Sequence, residues 1–165
     1  MHPLFALVSA KLAQLDAGHA ARAAEVAEAE EAARGRTTPL AAAPAARLRA
    51  GAVAAFYTGV EDLLRTVLEE VDGSVPTGAD WHRNLLLQAS VPLPGRRSAL
   101  IDAALLHELD ALWAMRHRVQ QDYGLVPDAA LLVANRDRLD RVRDVLGQAV
   151  GGWRAAIDPP DEAGP

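Results

Sequence analysis

Apolar residues recur along the chain at intervals of three and four positions, which is the spacing of one face of an α-helix. The clearest run is the stripe formed by Phe56, Val60, Leu63 and Val67. The same spacing predicts five helices, over residues 4–34, 45–71, 80–90, 98–123 and 128–150. Glycine and proline fall between these segments, where they end one helix and separate it from the next. We therefore predict an all-α, up-and-down bundle of four to five helices, in which the short third helix crosses the others.

The amino-acid composition supports this prediction and limits the class of protein. Half of the 165 residues are hydrophobic but only 4% are aromatic. Ala and Leu, which favour helices, are abundant, whereas the β-branched and aromatic residues that strands prefer are sparse. A chain of this length forms one domain with a substantial core. We expect an Ala-rich N-terminal helix over residues 1–36, a helical bundle over 37–152 and a flexible tail over 153–165.

Charge, cysteine content and hydropathy exclude several kinds of protein. The absence of cysteine excludes disulfide scaffolds, thiolate zinc sites and cysteine nucleophiles. The formal net charge of −5 argues against binding of polyanions over the whole surface, although it is compatible with a local basic patch. No apolar run approaches the ~20 residues of a membrane span, and the N-terminal segment lacks the pattern of a signal peptide. We therefore expect a cytoplasmic protein that does not enter a membrane.

Sequence motifs for a metal or a cofactor are missing. The chain has no Gly-rich phosphate loop and no serine hydrolase motif. Its helices also lack the Glu-x-x-His pairs from which metal sites in helical bundles are built. We therefore expect no metal site and no cofactor.

The fourth predicted helix carries polar residues where its apolar stripe predicts hydrophobic ones. Arg116 falls at the centre of the stripe that Leu105, Leu109, Leu112 and Val119 define. A guanidinium in that position must pair with an acid, extend to solvent, or line a cleft or a subunit interface. Further polar residues fall on the same side of the helix: His117, Gln120, Gln121 and Tyr123. Such a cluster within an apolar stripe indicates a binding or catalytic site.

A structural alternative stays open for this cluster, and the periodicity alone favours it. An arginine in an apolar stripe often pairs with a core carboxylate, and Glu61 or Asp62 on the second predicted helix is a suitable partner. Tyr123 can likewise be an ordinary core aromatic whose hydroxyl lies at the edge of the core.

Five short segments in this order support the first interpretation: FYTGVEDLL at 56–64, VDGSVPTG at 71–78, WHRNLL at 81–86, MRHR at 115–118 and DYG at 122–124. As an ordered set they resemble the HEPN superfamily and, within it, the HepT-like ribonuclease toxins. The resemblance covers about residues 45–150. It implies a HEPN-like helical bundle.

The resemblance also implies which residues form the site. HepT-like proteins carry an Arg followed by a polar residue, and then a His and a Tyr separated by one residue. Arg116, His117 and Tyr123 match the Arg, the polar residue and the Tyr, but Gln121 stands where the family has His. Active members are metal-independent endoribonucleases that leave a 2′,3′-cyclic phosphate, and they dimerise so that the Arg and His of two protomers form one cleft. Their partner is a minimal nucleotidyltransferase antitoxin, which can add AMP to the Tyr.

Gln121 bears directly on catalysis. Metal-free cleavage of RNA uses the 2′-hydroxyl as nucleophile, so it needs a cation for the phosphate and a proton acceptor with a pKa near neutrality. Arg116 can supply the cation, but Gln121 cannot exchange a proton. Loss of a general base typically lowers the rate by about 10²–10⁴. His117, one helical turn from Gln121, is the candidate proton shuttle, and Gln121 can still hydrogen-bond a phosphate.

Further residues are candidates for contacts to RNA or to a protein partner around Arg116: Arg83, Arg97, Arg118, Gln120 and Tyr123. The Trp81-His82 pair is expected to be structural, with a place for His82 in the cleft as the alternative. The favoured function is that of a homodimeric HepT-like component of a toxin–antitoxin or defence pair, which binds RNA of the tRNA class or a nucleotidyltransferase. The alternative is a non-catalytic helical module that binds another protein, which the acidic charge balance and the polar stretch at 25–33 would suit.

Overall fold

The computed structural model describes residues 3–36, 38–121 and 129–157. In these ranges the chain forms five helices and no strand, so the all-α prediction is confirmed. The helices are α1 (Pro3–Ala33), α2 (Pro39–Asp72), α3 (Trp81–Ser90), α4 (Ala103–Gln121) and α5 (Ala129–Ile157). None of the described helices is long and apolar enough to cross a membrane.

The predicted start of the fourth helix at residue 98 is wrong, because the chain folds as an irregular segment up to Asp102. The Asp102 carboxylate accepts a hydrogen bond of 2.7 Å from the backbone N–H of Leu105, which is the bond that an N-cap residue makes. Before it, the N–H of Leu100 donates to the carbonyl of Ala89 at 2.8 Å, and the side chains of Leu100 and Ile101 are buried. Helix α4 therefore begins at Ala103.

Helix α2 begins at Pro39, six residues earlier than predicted, and continues through Pro44. Proline suits the first helical position, since its missing N–H would be unpaired there. The helix ends as predicted, because Gly73 adopts a left-handed φ of 79° and its N–H donates to the carbonyl of Glu69.

Helix α5 continues past the predicted end at residue 150, through Gly151 and Gly152, to Ile157. The helix continues because of a tertiary contact. Trp153 is buried, and its ring packs edge-on against Phe5 of α1, with 5.6 Å between the ring centres. Burial of this indole outweighs the low helix propensity of the two glycines. Residues 153–157, which were predicted to open a flexible tail, are therefore helical.

Helix α2 lies at the centre of the bundle and contacts all four other helices. Its core face carries fully buried side chains at Tyr57, Val60, Leu64 and Leu68. The buried residues of α1 all precede residue 16, and its second half is mostly exposed, as its sequence predicts. The two helices approach closely at Gly59, where an added Cβ would lie 2.6 Å from the Cδ1 atom of Leu15.

Candidate functional site

Arg116 of α4 projects from the end of a buried stripe toward α2. Leu105, Leu109 and Leu112 are buried as predicted, and Arg116 follows one turn later. Its Nη1 atom lies 3.7 Å from Oε2 of Glu61, and its guanidinium carbon lies 5.9 Å from the centre of the Tyr57 ring. Of the two acids that the structural alternative offered, Glu61 is thus the one that pairs with Arg116.

The hydrogen-bonding capacity of Arg116 is nevertheless unused within the part of the chain that the structure describes. The distance of 3.7 Å to Glu61 is an ion-pair distance and is too long for a hydrogen bond. The Nε atom is buried without a hydrogen-bond partner among the described residues. A guanidinium has five N–H donors. Arg116 is therefore a cation that is balanced in charge but not satisfied in hydrogen bonds, with 17% of its side chain still exposed.

Glu61 also contacts a second basic group, because its other oxygen, Oε1, forms a hydrogen bond with Nδ1 of His82 at the start of α3. The Glu61 side chain is only 4% exposed, whereas that of His82 is 23% exposed. The His82 ring lies against the neighbouring Trp81 ring in a tilted arrangement, with 3.6 Å between centres and 33° between planes. One buried carboxylate therefore lies between an imidazole and a guanidinium, and it holds α2, α3 and α4 together.

Tyr57 forms the floor beneath this cluster. It lies four residues before Glu61 on α2, so both side chains face the same side of that helix. Its side chain is fully buried, and burial together with the neighbouring Glu61 charge raises the pKa of its hydroxyl far above the usual range. The phenol is therefore neutral at every physiological pH, and it cannot serve as a base.

His117 and Gln121 form a separate, exposed pair on α4. The His117 ring is stacked parallel to the Trp113 ring, with 5.4 Å between centres and 12° between planes. The Gln121 side-chain nitrogen lies 2.8 Å from Nε2 of His117. An amide nitrogen can only donate, so Nε2 is the acceptor in this contact. The predicted proximity of the two side chains is confirmed, but the lone pair of Nε2 is engaged by Gln121.

A family model described as "HepT-like protein" matches residues 49–157, which is about two thirds of the chain and contains every residue of this cluster. The chain belongs to the HepT-like family. No curated protein and no solved structure gives a significant match to it.

The three arginines that the sequence of this HepT-like chain offered as contacts to RNA or a partner are not all exposed. Arg83 and Arg118 are exposed, as a surface role requires. Arg97 is buried, with 1% of its side chain exposed, and two of its nitrogens each donate a hydrogen bond of 2.7 Å to the Asp72 carboxylate. The assignment of Arg97 to an RNA-binding surface is therefore wrong, because this side chain is part of the core.

Two of the predicted contacts to RNA or a partner fall outside the described part of the chain. Tyr123 lies outside the described residues, as does the side chain of Gln120. Over the described ranges of the HepT-like chain, no group of three or more His, Asp or Glu side chains is arranged to hold a metal ion.

Sequence reasoning named Arg116, His117 and Gln121, but it gave no role to Tyr57 and left His82 as an alternative. A signal for Glu61 was present, because it follows Val60 and precedes Leu63 on a helix face that is otherwise apolar. Its contact with His82 joins residues 21 positions apart. No local spacing rule reveals such a contact.

Proposed function

We propose that this HepT-like protein binds RNA through Arg116, as one component of a toxin–antitoxin or defence pair. The observation that supports the proposal is the unused hydrogen-bonding capacity of the Arg116 guanidinium. A phosphate group offers the oxygens that match such a fork of N–H donors, and hydrogen bonds between two charged groups are the strong ones. The long, flexible side chain can extend the partly exposed guanidinium from the core edge to a bound anion.

The chemistry that fits the site is metal-independent cleavage of RNA. Arg116 would hold the phosphate. His117 is the residue that the sequence indicates as the proton shuttle. Gln121 and the exposed Arg83 and Arg118 would contact the RNA. The product would carry a 2′,3′-cyclic phosphate, and tRNA is the expected class of target.

The remaining parts of the proposal are supported by the resemblance to the HepT-like ribonuclease toxins. A homodimer would bring two such sites together. A minimal nucleotidyltransferase would be the antitoxin, with Tyr123 as the residue that it modifies. A cytoplasmic location is consistent with a tRNA substrate.

The experiment compares expression of the wild-type chain with that of Arg116→Ala in a bacterial host. Wild type should arrest growth, and Arg116→Ala should not. Arg22→Ala is the matched control, because Arg22 is an exposed arginine on α1, outside the segment that matches the family. The purified wild-type chain should also cut total tRNA at pH 7 without a divalent metal. Growth arrest that persists in Arg116→Ala would contradict the proposal.

A second candidate function is a non-catalytic module that binds another protein. The ion pair between Arg116 and Glu61 favours it, because a cation already balanced in charge has less need of an anionic ligand. A wild-type chain that is harmless on expression, leaves tRNA intact and does not bind RNA would support this candidate.

A further inference from the structure

We propose that His82, oriented by Glu61, is the proton acceptor that replaces the histidine missing at position 121. This inference rests on the proposed RNA-cleaving function and identifies a catalytic residue for it. The pair lies on α2 and α3, whereas Arg116 is supplied by α4.

The hydrogen bond to Glu61 fixes the protonation of the His82 ring. A carboxylate only accepts, so Nδ1 carries the proton that it donates to Glu61. The lone pair of the neutral ring is then on Nε2. The buried carboxylate also stabilises the imidazolium that forms when Nε2 takes up a proton. Contact with the tilted Trp81 ring holds the His82 ring in this orientation, and the partial exposure of His82 leaves a route for substrate.

His117 lacks this arrangement. Its Nε2 is already the acceptor of a hydrogen bond from Gln121, and that bond must break before a substrate hydroxyl can approach. No described carboxylate contacts its ring. His82 therefore has the better geometry for proton transfer, although His117 is closer to Arg116 in the sequence.

The shared carboxylate places the acceptor and the phosphate clamp in one cluster, since Glu61 contacts both His82 and Arg116. In the proposed step, Nε2 of His82 accepts the proton of the 2′-hydroxyl while O2′ forms a bond to phosphorus. The bond between phosphorus and O5′ breaks, and O5′ takes up a proton from a water molecule. The hydroxide that remains removes the proton from Nε2, which returns His82 to its neutral form. The products are a 2′,3′-cyclic phosphate and a 5′-hydroxyl end, and no metal or oxidant enters the step.

The test measures the initial rate of tRNA cleavage and, separately, the affinity for a 2′-O-methyl RNA that cannot be cleaved. His82→Asn retains a donor near the position of Nδ1 but cannot exchange a proton. It should lower the cleavage rate by about 10²–10⁴ and leave the affinity unchanged within about twofold. His107→Asn is the matched control, because His107 is an exposed histidine on α4 that is not a member of the cluster, and it should keep the wild-type rate.

Two further variants separate catalysis from folding. Imidazole added to the solution should restore part of the rate of His82→Ala. Glu61→Gln keeps a hydrogen-bond acceptor for Nδ1 but removes the carboxylate charge, so it should lower the cleavage rate without weakening the binding of the 2′-O-methyl RNA. A merely structural role for either residue produces neither effect.

The possible outcomes distinguish a wrong assignment of His82 from a wrong proposed function. If His82→Asn cleaves tRNA at the wild-type rate, or if the rate falls only in His117→Asn, the assignment of His82 is overturned while the proposed function stands. If wild type binds 2′-O-methyl RNA without cleaving tRNA, the assignment of His82 as proton acceptor is likewise overturned, and only the RNA-binding part of the proposed function stands. If wild type neither binds nor cleaves, the proposed function fails as well.

Discussion

Arg97 and Arg116 are two arginines at the core of the same bundle, and each faces a carboxylate on α2. Arg97 donates hydrogen bonds to both oxygens of Asp72, at 2.7 Å each, and three more to backbone carbonyls. Arg116 approaches Glu61 with one nitrogen at 3.7 Å and donates no hydrogen bond to any described residue. All five N–H donors of Arg97 are therefore hydrogen-bonded, whereas the donors of Arg116 form no hydrogen bond with the described residues.

The difference separates a structural cation from one that is available to a ligand. A buried charge is tolerated when hydrogen bonds replace those it made to water. Around Arg97 the chain itself supplies those bonds, so an incoming anion would have to compete with them. Around Arg116 the residues that the structure describes supply no such bonds, so an anion could supply them.

The largest effect on stability should come from Arg97→Ala. The substitution leaves the Asp72 carboxylate, which is 6% exposed, without its counter-charge. Loss of one partner of a buried ion pair typically costs about 3–5 kcal/mol. Urea unfolding should show this decrease, while the exposed-site control Arg22→Ala changes the unfolding free energy by less than about 0.5 kcal/mol. A loss below about 1 kcal/mol for Arg97→Ala would show that the hydrogen-bond network is not structural.

An intermediate effect, which depends on pH, should come from Asp72→Asn. Burial alone would raise the pKa of Asp72, but hydrogen bonds from Arg97 and Gln88 and the arginine charges lower it overall. A carboxyl whose pKa is lower in the folded state adds stability above its unfolded pKa of about 3.9, and that stability is lost as the pH falls through the folded pKa. Asp72→Asn should therefore cost about 1.5–3 kcal/mol at pH 7.

The wild-type advantage over Asp72→Asn should shrink as the pH is lowered from 5 toward 3. Urea unfolding of both chains at pH 7, 5, 4 and 3 measures it. An advantage that stays constant over this range would mean that the Asp72 charge contributes nothing to stability.

The smallest effect on stability should come from Arg116→Ala. Glu61 keeps its hydrogen bond from His82 in that variant, so its carboxylate is not left without a partner. We expect a loss of about 1 kcal/mol in urea unfolding, near the centre of the range for single substitutions. A loss as large as that of Arg97→Ala would make Arg116 a second structural cation and remove the contrast between the two sites.

The sequence predicts the bundle well because helical periodicity is a local property. The stripe on α4 locates Arg116, and the sequence of α2 offers Glu61 or Asp62 as its acid. The errors come from contacts between distant residues. Arg97 was assigned to the surface because its partner Asp72 lies 25 positions earlier, and α5 was ended at the glycines because nothing local shows that Trp153 packs on Phe5.

The most direct test of the account is the dissociation constant for a fluorescent 2′-O-methyl RNA, measured by anisotropy over a range of salt concentrations. Arg116→Ala should bind at least about tenfold more weakly than wild type, equivalent to ~1.4 kcal/mol. The slope of log affinity against log salt should fall by about 0.7, because the variant neutralises one phosphate fewer. Arg22→Ala should retain the wild-type affinity and slope. Equal affinity and slope for wild type and Arg116→Ala would contradict the claim that Arg116 is a phosphate-binding cation.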